Sequence, residues 1–159
     1  MPVQQSGDVT PGHLVTWATD NVIQDGGSVG VSERVLGYLN CNFNSTSDQA
    51  IALPDDINVF CLTRIIITNA STSLTTAAGG FYPQSAKGGT AIVSSAQAYS
   101  SLTTAAKLLN ATLASYGSTT RFDASNVPDW AIYFSLTTGQ GAAATADVYL
   151  VGLDLTVRS

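Results

Sequence analysis

Four aspartates have the best claim to catalytic chemistry in this sequence: Asp55, Asp56, Asp123 and Asp129. The first pair follows Pro54 in a turn-rich segment, and the second pair flanks another such segment. Paired carboxylates can hydrolyse glycosidic bonds when they face each other across a cleft at a defined separation. Such a site also needs aromatic side chains that stack on sugars, and aromatic residues make up only 8% of the chain. We therefore interpret these aspartates as turn residues, whose side chains accept hydrogen bonds from nearby backbone N–H groups.

Two further patterns resemble catalytic or cofactor motifs but lack the surrounding elements. His13 is the single histidine of the chain, and it lies in a segment rich in glycine and proline, whereas the base of a Ser-His-Asp triad needs a rigid, oriented position. Residues 139–144 match the letters of a dinucleotide-binding fingerprint. They lead into an alternating strand, however, and not into the helix that would receive the pyrophosphate. We interpret this stretch as a hairpin loop.

The two cysteines, Cys41 and Cys61, fall inside predicted strands, and we interpret them as reduced thiols in the core. A disulfide between them is the alternative that their even number leaves open, although a reducing compartment disfavours it. A zinc site would need two more ligands at suitable spacing, and His13 is far away in sequence. We assign no catalytic residue, no cofactor and no metal ligand, and we expect that the protein is not an enzyme.

Composition narrows the possible partners. The 159 residues carry a formal net charge of −5, and the six basic residues are scattered one at a time. This argues against nucleic-acid binding, which needs clustered Lys and Arg. No apolar run is long enough to span a bilayer, and the first residues do not have the pattern of a secretory signal. We expect a protein that folds in a cytoplasm and binds neither nucleic acid nor membranes.

Apolar residues alternate with polar ones near the C-terminus. One such set is Trp130, Ile132, Phe134 and Leu136, and a second is Tyr149, Val151, Leu153, Leu155 and Val157. A period of two is typical of a β-strand with one face in a core. We expect both sets to face that core.

Short strand-like runs recur between turn-rich segments from residue 33 onward. The predicted strands are residues 35–43, 49–53, 59–69, 80–84, 90–95, 108–114, 130–137 and 146–157, and a helical turn followed by a strand is predicted over 101–115. Several short strands at this spacing indicate a sandwich or barrel. The fold class that we predict is all-β, an antiparallel β-sandwich over residues 33–159.

Residues 1–32 differ from the rest because glycine and proline interrupt short apolar pieces. We predict an extended N-terminal arm with one or two turns. Its candidate partner-binding residues are Pro11, His13, Leu14, Trp17, Val22 and Ile23. These side chains either fold back onto their own domain or dock on another subunit, and the sequence leaves both open. The weakly charged, hydroxyl-rich remainder of the chain favours an oligomer, since few ions would need to be desolvated between subunits.

Two stretches carry a resemblance to known proteins. Residues 6–27, SGDVTPGHLVTWATDNVIQDGG, resemble N-terminal segments of tailed-bacteriophage virion proteins. Residues 62–82, LTRIIITNASTSLTTAAGGFY, and 86–90, AKGGT, resemble small phage structural proteins of unassigned or decoration type. The resemblance implies a jelly-roll-like β-sandwich, often trimeric, in a phage particle.

The function expected from this resemblance is that of a capsid decoration (cement) protein. Homotrimers would bind the outer surface of the head, contact the major capsid protein or another virion protein, and stabilise contacts between capsomers. The arm would reach onto the shell or a neighbouring subunit. The alternative is a host-recognition module, a head spike or tail-fibre adhesin that binds cell-surface glycans.

Overall fold

The structure is a computed structural model, and it describes residues 4–5, 13–17, 22–28 and 33–156, with side chains described in the last range only. Strands make up 48% of the structure and helix 4%, and antiparallel sheets pack against each other. The prediction of an all-β antiparallel sandwich is therefore confirmed. The chain divides into two compact units, Met1–Val31 and Ser32–Ser159.

The first unit contains three short strands: β1 (Gln4–Gln5), β2 (His13–Trp17) and β3 (Val22–Ser28). They form one sheet in the order β1-β3-β2, in which β2 and β3 are antiparallel and β1 is parallel to β3. The extended chain that the sequence predicts over 1–32 thus includes paired segments.

The second unit is built from two sheets. The large sheet has the order β4-β11-β6-β8, with β9 also paired to β6. Its strands are β4 (Glu33–Asn42), β6 (Val59–Thr68), β8 (Leu108–Ala111), β9 (Arg121–Asp123) and β11 (Thr145–Asp154). The small sheet has the order β5-β10-β7. Its strands are β5 (Gln49–Ala52), β7 (Ala78–Tyr82) and β10 (Ala131–Thr138).

Consecutive strands mostly alternate between these two sheets. β4 lies in the large sheet, β5 in the small one, β6 in the large and β7 in the small, and β10 and β11 alternate in the same way. Residues 139–144 therefore connect two different sheets, and the prediction of a hairpin loop there is wrong. The sequence predicts that a strand follows this loop, and this is confirmed, because β11 begins at Thr145.

The first alternating set behaves as predicted. Ile132, Phe134 and Leu136 on β10 are fully buried, and Trp130 is half-buried against the same core. Phe134 lies at the centre of an aromatic cluster. Its ring centroid is 4.8 Å from that of Phe43, 5.0 Å from that of Phe81 and 5.9 Å from that of Tyr99.

The second alternating set lies on the face opposite the core, so this prediction is wrong, although Val151 is buried on that face at 7% exposure. On β11 the fully buried residues are Ala146, Val148 and Leu150, whereas Tyr149 and Leu153 lie on the opposite face and are half-buried. β11 lies between β4 and β6, and a central strand can be apolar on both faces. Alternation alone could not tell which set the core would take. Leu155 follows the end of β11, and Val157 lies outside the described residues.

Two other segments depart from the predictions. Residues 90–95 do not form a strand, and only Val93 makes isolated bridges, to Phe81 and Leu113. A tight turn, in which the Gln97 N–H donates to the Ser94 carbonyl at 3.0 Å, interrupts the ladder here. Before β8 there is a hydrogen-bonded turn and no helix. The one helix of residues 33–156, α1 (Ser115–Thr119), follows β8 instead. It and β9 were not predicted, since both lie in a polar stretch without a clear period.

The cysteines are free, as predicted. Cys41 is fully buried in the core, whereas Cys61 is only partly buried, so the core placement holds for the first alone. Their partners on β11 are Ala146 and Leu153. These positions are roughly 20 Å apart along an extended strand, far beyond the reach of a disulfide.

A candidate docking surface on the large sheet

The face of the large sheet that is turned away from the core is called the outer face here, and its residues are placed by strand register. Directly opposite residues on neighbouring strands point to the same face. One row across the sheet is Tyr38, Tyr149, Ile66 and Asn110. The rows on either side are Asn40, Asp147, Thr68 and Leu108, and Val35, Val151 and Arg64.

Apolar exposure is concentrated on this outer face. Among the described side chains, the large hydrophobic residues that are exposed are Val35 at 52%, Tyr38 at 51% and Leu108 at 57%. All three belong to the rows above, and they come from two different edges of the sheet, β4 and β8. A single exposed apolar residue is normal, whereas several on one face indicate a surface that is covered by something else.

Tyr38 and Tyr149 form a ring pair in the middle row of the outer face. Their ring centroids are 5.0 Å apart and the rings are tilted by 38°. Tyr38 is on β4 and Tyr149 is its direct partner on β11, so antiparallel pairing alone brings them together. Aromatic pairs of this kind are among the most effective contact groups in protein interfaces.

Asp147 lies beside this ring pair and accepts three hydrogen bonds from neutral side chains. Tyr38 donates its hydroxyl to Oδ1 at 2.9 Å, Asn40 donates Nδ2 to Oδ1 at 2.8 Å, and Asn69 donates Nδ2 to Oδ2 at 2.9 Å. Asn69 has φ 54°, a left-handed conformation that asparagine tolerates better than most residues, and this turns its amide toward the carboxylate.

These hydrogen bonds shift the pKa values of both partners. The pKa of Asp147 is lowered because the Asn40 and Asn69 amides, and then the Tyr38 hydroxyl, stabilise its charged form; partial burial opposes this effect. The pKa of Tyr38 is raised, mainly because its hydroxyl donates to this carboxylate. At neutral pH the cluster is therefore a phenol and two amides held around one carboxylate.

The other charges on the outer face are paired. Arg64 on β6 forms an ion pair with Glu33 at the start of β4. Arg34 on β4 contacts Asp154 at the end of β11 at 3.2 Å and Asp56 at 3.4 Å. The outer face thus combines exposed apolar groups with charges that already have partners inside the chain.

The aspartates considered for catalysis have structural roles where the structure gives their contacts. Asp123 accepts the Ser125 backbone N–H at 2.9 Å and pairs with Arg121 at 3.1 Å. These hydrogen bonds, first of all from Ser125, lower the pKa of Asp123, and they confirm the predicted turn role. Asp129 accepts the Tyr133 hydroxyl at 2.9 Å. Within residues 33–156, no three His, Cys, Asp or Glu side chains are grouped as metal ligands.

The arm residues predicted to bind a partner are located by their backbone only. His13, Leu14 and Trp17 belong to β2, Val22 and Ile23 belong to β3, and Pro11 lies outside the described residues. β2 and β3 pair directly, with Trp17 opposite Ile23, so three of the six positions lie on one strand and two on its neighbour.

Comparisons with known proteins give no guide to function: no family model, curated protein or solved structure matches this chain. In the part of the chain that the structure describes, no helix is long and apolar enough to cross a membrane.

The outer face was not identified from the sequence. Of its residues, the alternating patterns contain Tyr149, Val151 and Val35, and they predict that all three face the core. A signal was present in β11, where both alternating sets are apolar although a sandwich strand needs only one buried face. Strand register then supplies what the sequence does not, because Tyr38 and Asp147 are 109 positions apart.

Proposed function

We propose that this protein is a structural subunit of a tailed-phage particle, a capsid decoration protein. Homotrimers bind the outer surface of the head and stabilise contacts between capsomers. The protein works by adhesion and performs no reaction. This proposal rests on the resemblance of residues 6–27, 62–82 and 86–90 to phage virion proteins, and one structural observation supports it.

That observation is the outer face of the large sheet. The sandwich has a complete core between its two sheets, yet Val35, Tyr38 and Leu108 remain exposed on the far side of one of them. Burial of apolar surface between subunits is favourable because it removes that surface from water. A domain that leaves such a surface open gains most when it joins a larger structure.

The strand order supports the jelly-roll connectivity that the resemblance implies. Strands β4-β11-β6-β8 lie against β5-β10-β7, and Val93 bridges the free edge of β7 where a fourth strand would lie. Jelly rolls of two four-stranded sheets are common in viral capsid proteins and in lectins.

The N-terminal arm supplies a second contact in this proposal. Leu14, Trp17, Val22 and Ile23, with Pro11 and His13, bind the shell or a neighbouring subunit. Three arms held together in a trimer bind with an avidity that one arm lacks.

The test is to incubate purified protein with undecorated shells and to image them by electron microscopy. Even coverage of the head surface supports decoration. A Trp17→Ala, Ile23→Ala variant should lose coverage, while a Thr103→Ala variant, changed at an exposed loop position, should retain it. Bare shells with the wild-type protein would refute the decoration role, and undiminished coverage with the arm variant would refute the role of the arm.

A host-recognition module is the second candidate, and one observation favours it. Tyr38 and Tyr149 lie beside Asp147, Asn40 and Asn69, and aromatic rings next to amides and a carboxylate can bind a saccharide by stacking and hydrogen bonding. An adhesin would be found as a few copies at a vertex or on the tail of the particle. Immunogold labelling of intact particles separates this pattern from even coverage.

A further inference from the structure

We infer that the outer face of the large sheet is the surface through which copies of this chain meet, with the three outer faces of a trimer turned toward the threefold axis. This rests on the proposed homotrimer and adds which surface builds it. The occupant of the outer face is a second copy of the chain.

The first step is the apolar content of the surface. Val35, Tyr38 and Leu108 are each more than half exposed, and Tyr149 and Ile66 lie between them, partly exposed, in the middle of the sheet. Each of the four strands β4, β11, β6 and β8 therefore carries at least one apolar side chain on this face. A continuous apolar centre is typical of contacts between subunits.

The second step is the cost of removing the charges from water. Asp147 already holds three hydrogen bonds from neutral donors, and Arg64 is paired with Glu33. A carboxylate that is satisfied within its own chain can be covered at a smaller desolvation cost than an unpaired one.

The third step is the distribution of charge. The chain carries a net charge of −5, so identical copies repel one another. On the outer face the Glu33–Arg64 pair cancels and Asp147 remains, which leaves −1. Copies that meet through this face therefore bring a net charge of −1 each into the contact, which is smaller than the −5 of the whole chain.

The fourth step is size. Four strands at about 4.8 Å spacing, with their side chains, are roughly 20 Å wide, and the outer residues of β11 extend for about 25 Å. The flat area is on the order of 500 Å², and the accessible area of a face covered by side chains is larger. Stable two-body interfaces bury about 800 Å² per partner, so the outer face has the area of about one such interface, which a trimer divides between two neighbours.

A saccharide fits this surface less well than a second copy does. Sugar hydroxyls need free acceptors and donors, whereas Asp147 is engaged by Tyr38, Asn40 and Asn69. The two tyrosine rings are tilted by 38°, so they do not form a flat platform. Val35 and Leu108, on either side of the rings, offer a sugar nothing to hydrogen-bond.

The test is the oligomeric state of a Val35→Glu, Leu108→Glu variant. Both positions are more than half exposed, so the fold should survive, and neither side chain contributes to the Asp147 cluster. In a trimer the two changes place six carboxylates in the interface. Like-charge contacts there should weaken assembly by at least about 100-fold.

The matched control is Ala50→Glu. Ala50 is an exposed strand residue on β5, opposite Tyr133 on the far side of the small sheet. It adds the same kind of group, one carboxylate per chain against two in the double variant, to the other surface of the sandwich. Far-UV circular dichroism and thermal unfolding of each variant report on the fold.

Native mass spectrometry and sedimentation from about 1 to 100 μM should give a trimer for wild type and for Ala50→Glu, and a folded monomer for the double variant. A double variant that stays trimeric would overturn the inference, as would a monomeric wild type. So would a saccharide that binds the wild-type trimer on a glycan array and is lost in Tyr38→Ala. The two proposals can fail independently. If the wild-type protein forms a trimer that depends on the outer face but does not bind shells, only the proposed function is refuted.

Discussion

Replacing Ser135 by alanine should stabilise the domain, although most substitutions of buried residues destabilise. Ser135 lies on β10 with 0% exposure, and its hydroxyl has no hydrogen-bond partner within the described part of the chain. Its cross-strand neighbour on β7 is Gly80. A β-carbon added at Gly80 would lie 2.4 Å from the Val93 carbonyl oxygen. The backbone of residues 93–95 therefore crosses directly over this face and seals the serine from water.

The magnitude follows from two opposing effects. An unsatisfied buried hydroxyl costs about 1–3 kcal/mol, and alanine removes that cost. The oxygen leaves a void on the order of 10 Å³, which costs about 0.3 kcal/mol. Ser135→Ala should therefore raise the free energy of unfolding by about 1 kcal/mol or slightly more.

Thr137→Val is the matched control, two residues along the same face. The Thr137 hydroxyl lies 3.1 Å from the Ala78 carbonyl oxygen and 3.0 Å from that of Ser95, and it donates to this pair. Valine keeps the shape and removes the donor. Thr137 is exposed, so water can replace part of the lost interaction, and the free energy of unfolding should fall by about 0.5 kcal/mol.

Urea unfolding followed by tryptophan fluorescence measures both changes, and the slopes should be unchanged if only stability differs. The Tm of Ser135→Ala should rise by about 3–5 °C. If Ser135→Ala lowers stability by 1 kcal/mol or more while Thr137→Val has no effect, the serine hydroxyl has a partner and the path of residues 93–95 over the sheet is wrong.

Three other predictions concern single positions. The lowered pKa of Asp147 adds stability that is fully present above the unfolded pKa of about 3.9 and is lost as pH falls through the folded pKa. The advantage of wild type over Asp147→Asn in urea unfolding should therefore shrink between about pH 5 and pH 2. An advantage that does not change with pH would contradict this. Burial raises the pKa of Cys41 to about 12, so iodoacetamide at pH 8 should label this thiol only after unfolding. Peptide mass spectrometry maps the labelled site. Rapid labelling of the native protein would show instead that the thiol is accessible. A β-carbon at Gly152 would lie 2.1 Å from the Cys61 carbonyl oxygen. Gly152→Ala should therefore lower the free energy of unfolding by about 3 kcal/mol or more. If thermal unfolding shows no change, β6 and β11 can separate at this position.

The sequence predicted elements well where the two faces of a strand differ in chemistry. On β10, Ile132, Phe134 and Leu136 are clearly more apolar than the residues between them, apart from Tyr133, and they are buried as predicted. On β11 both faces are apolar, and the face assignment was wrong. The smaller set of Ala146, Val148 and Leu150 is buried because β11 is central and large side chains from both sheets already fill the core.

Strand order and register could not be predicted from local patterns. The outer face depends on β11 lying between β4 and β6, and the pairing of β11 with β4 joins residues more than 100 positions apart. The 93–95 crossing likewise depends on Gly80, whose missing side chain lets Val93 and Ser94 approach β7, while that of Gly79 makes room for β10 on the other side. In the sequence these glycines predict only a local break.

The most direct test of the central claim is the mass of the assembly in solution. Native mass spectrometry of the wild-type chain at micromolar concentration should give three copies, and the Val35→Glu, Leu108→Glu variant should give one copy with an unchanged circular dichroism spectrum. A wild-type chain that stays single at every concentration, or a double variant that still forms trimers, would contradict the account.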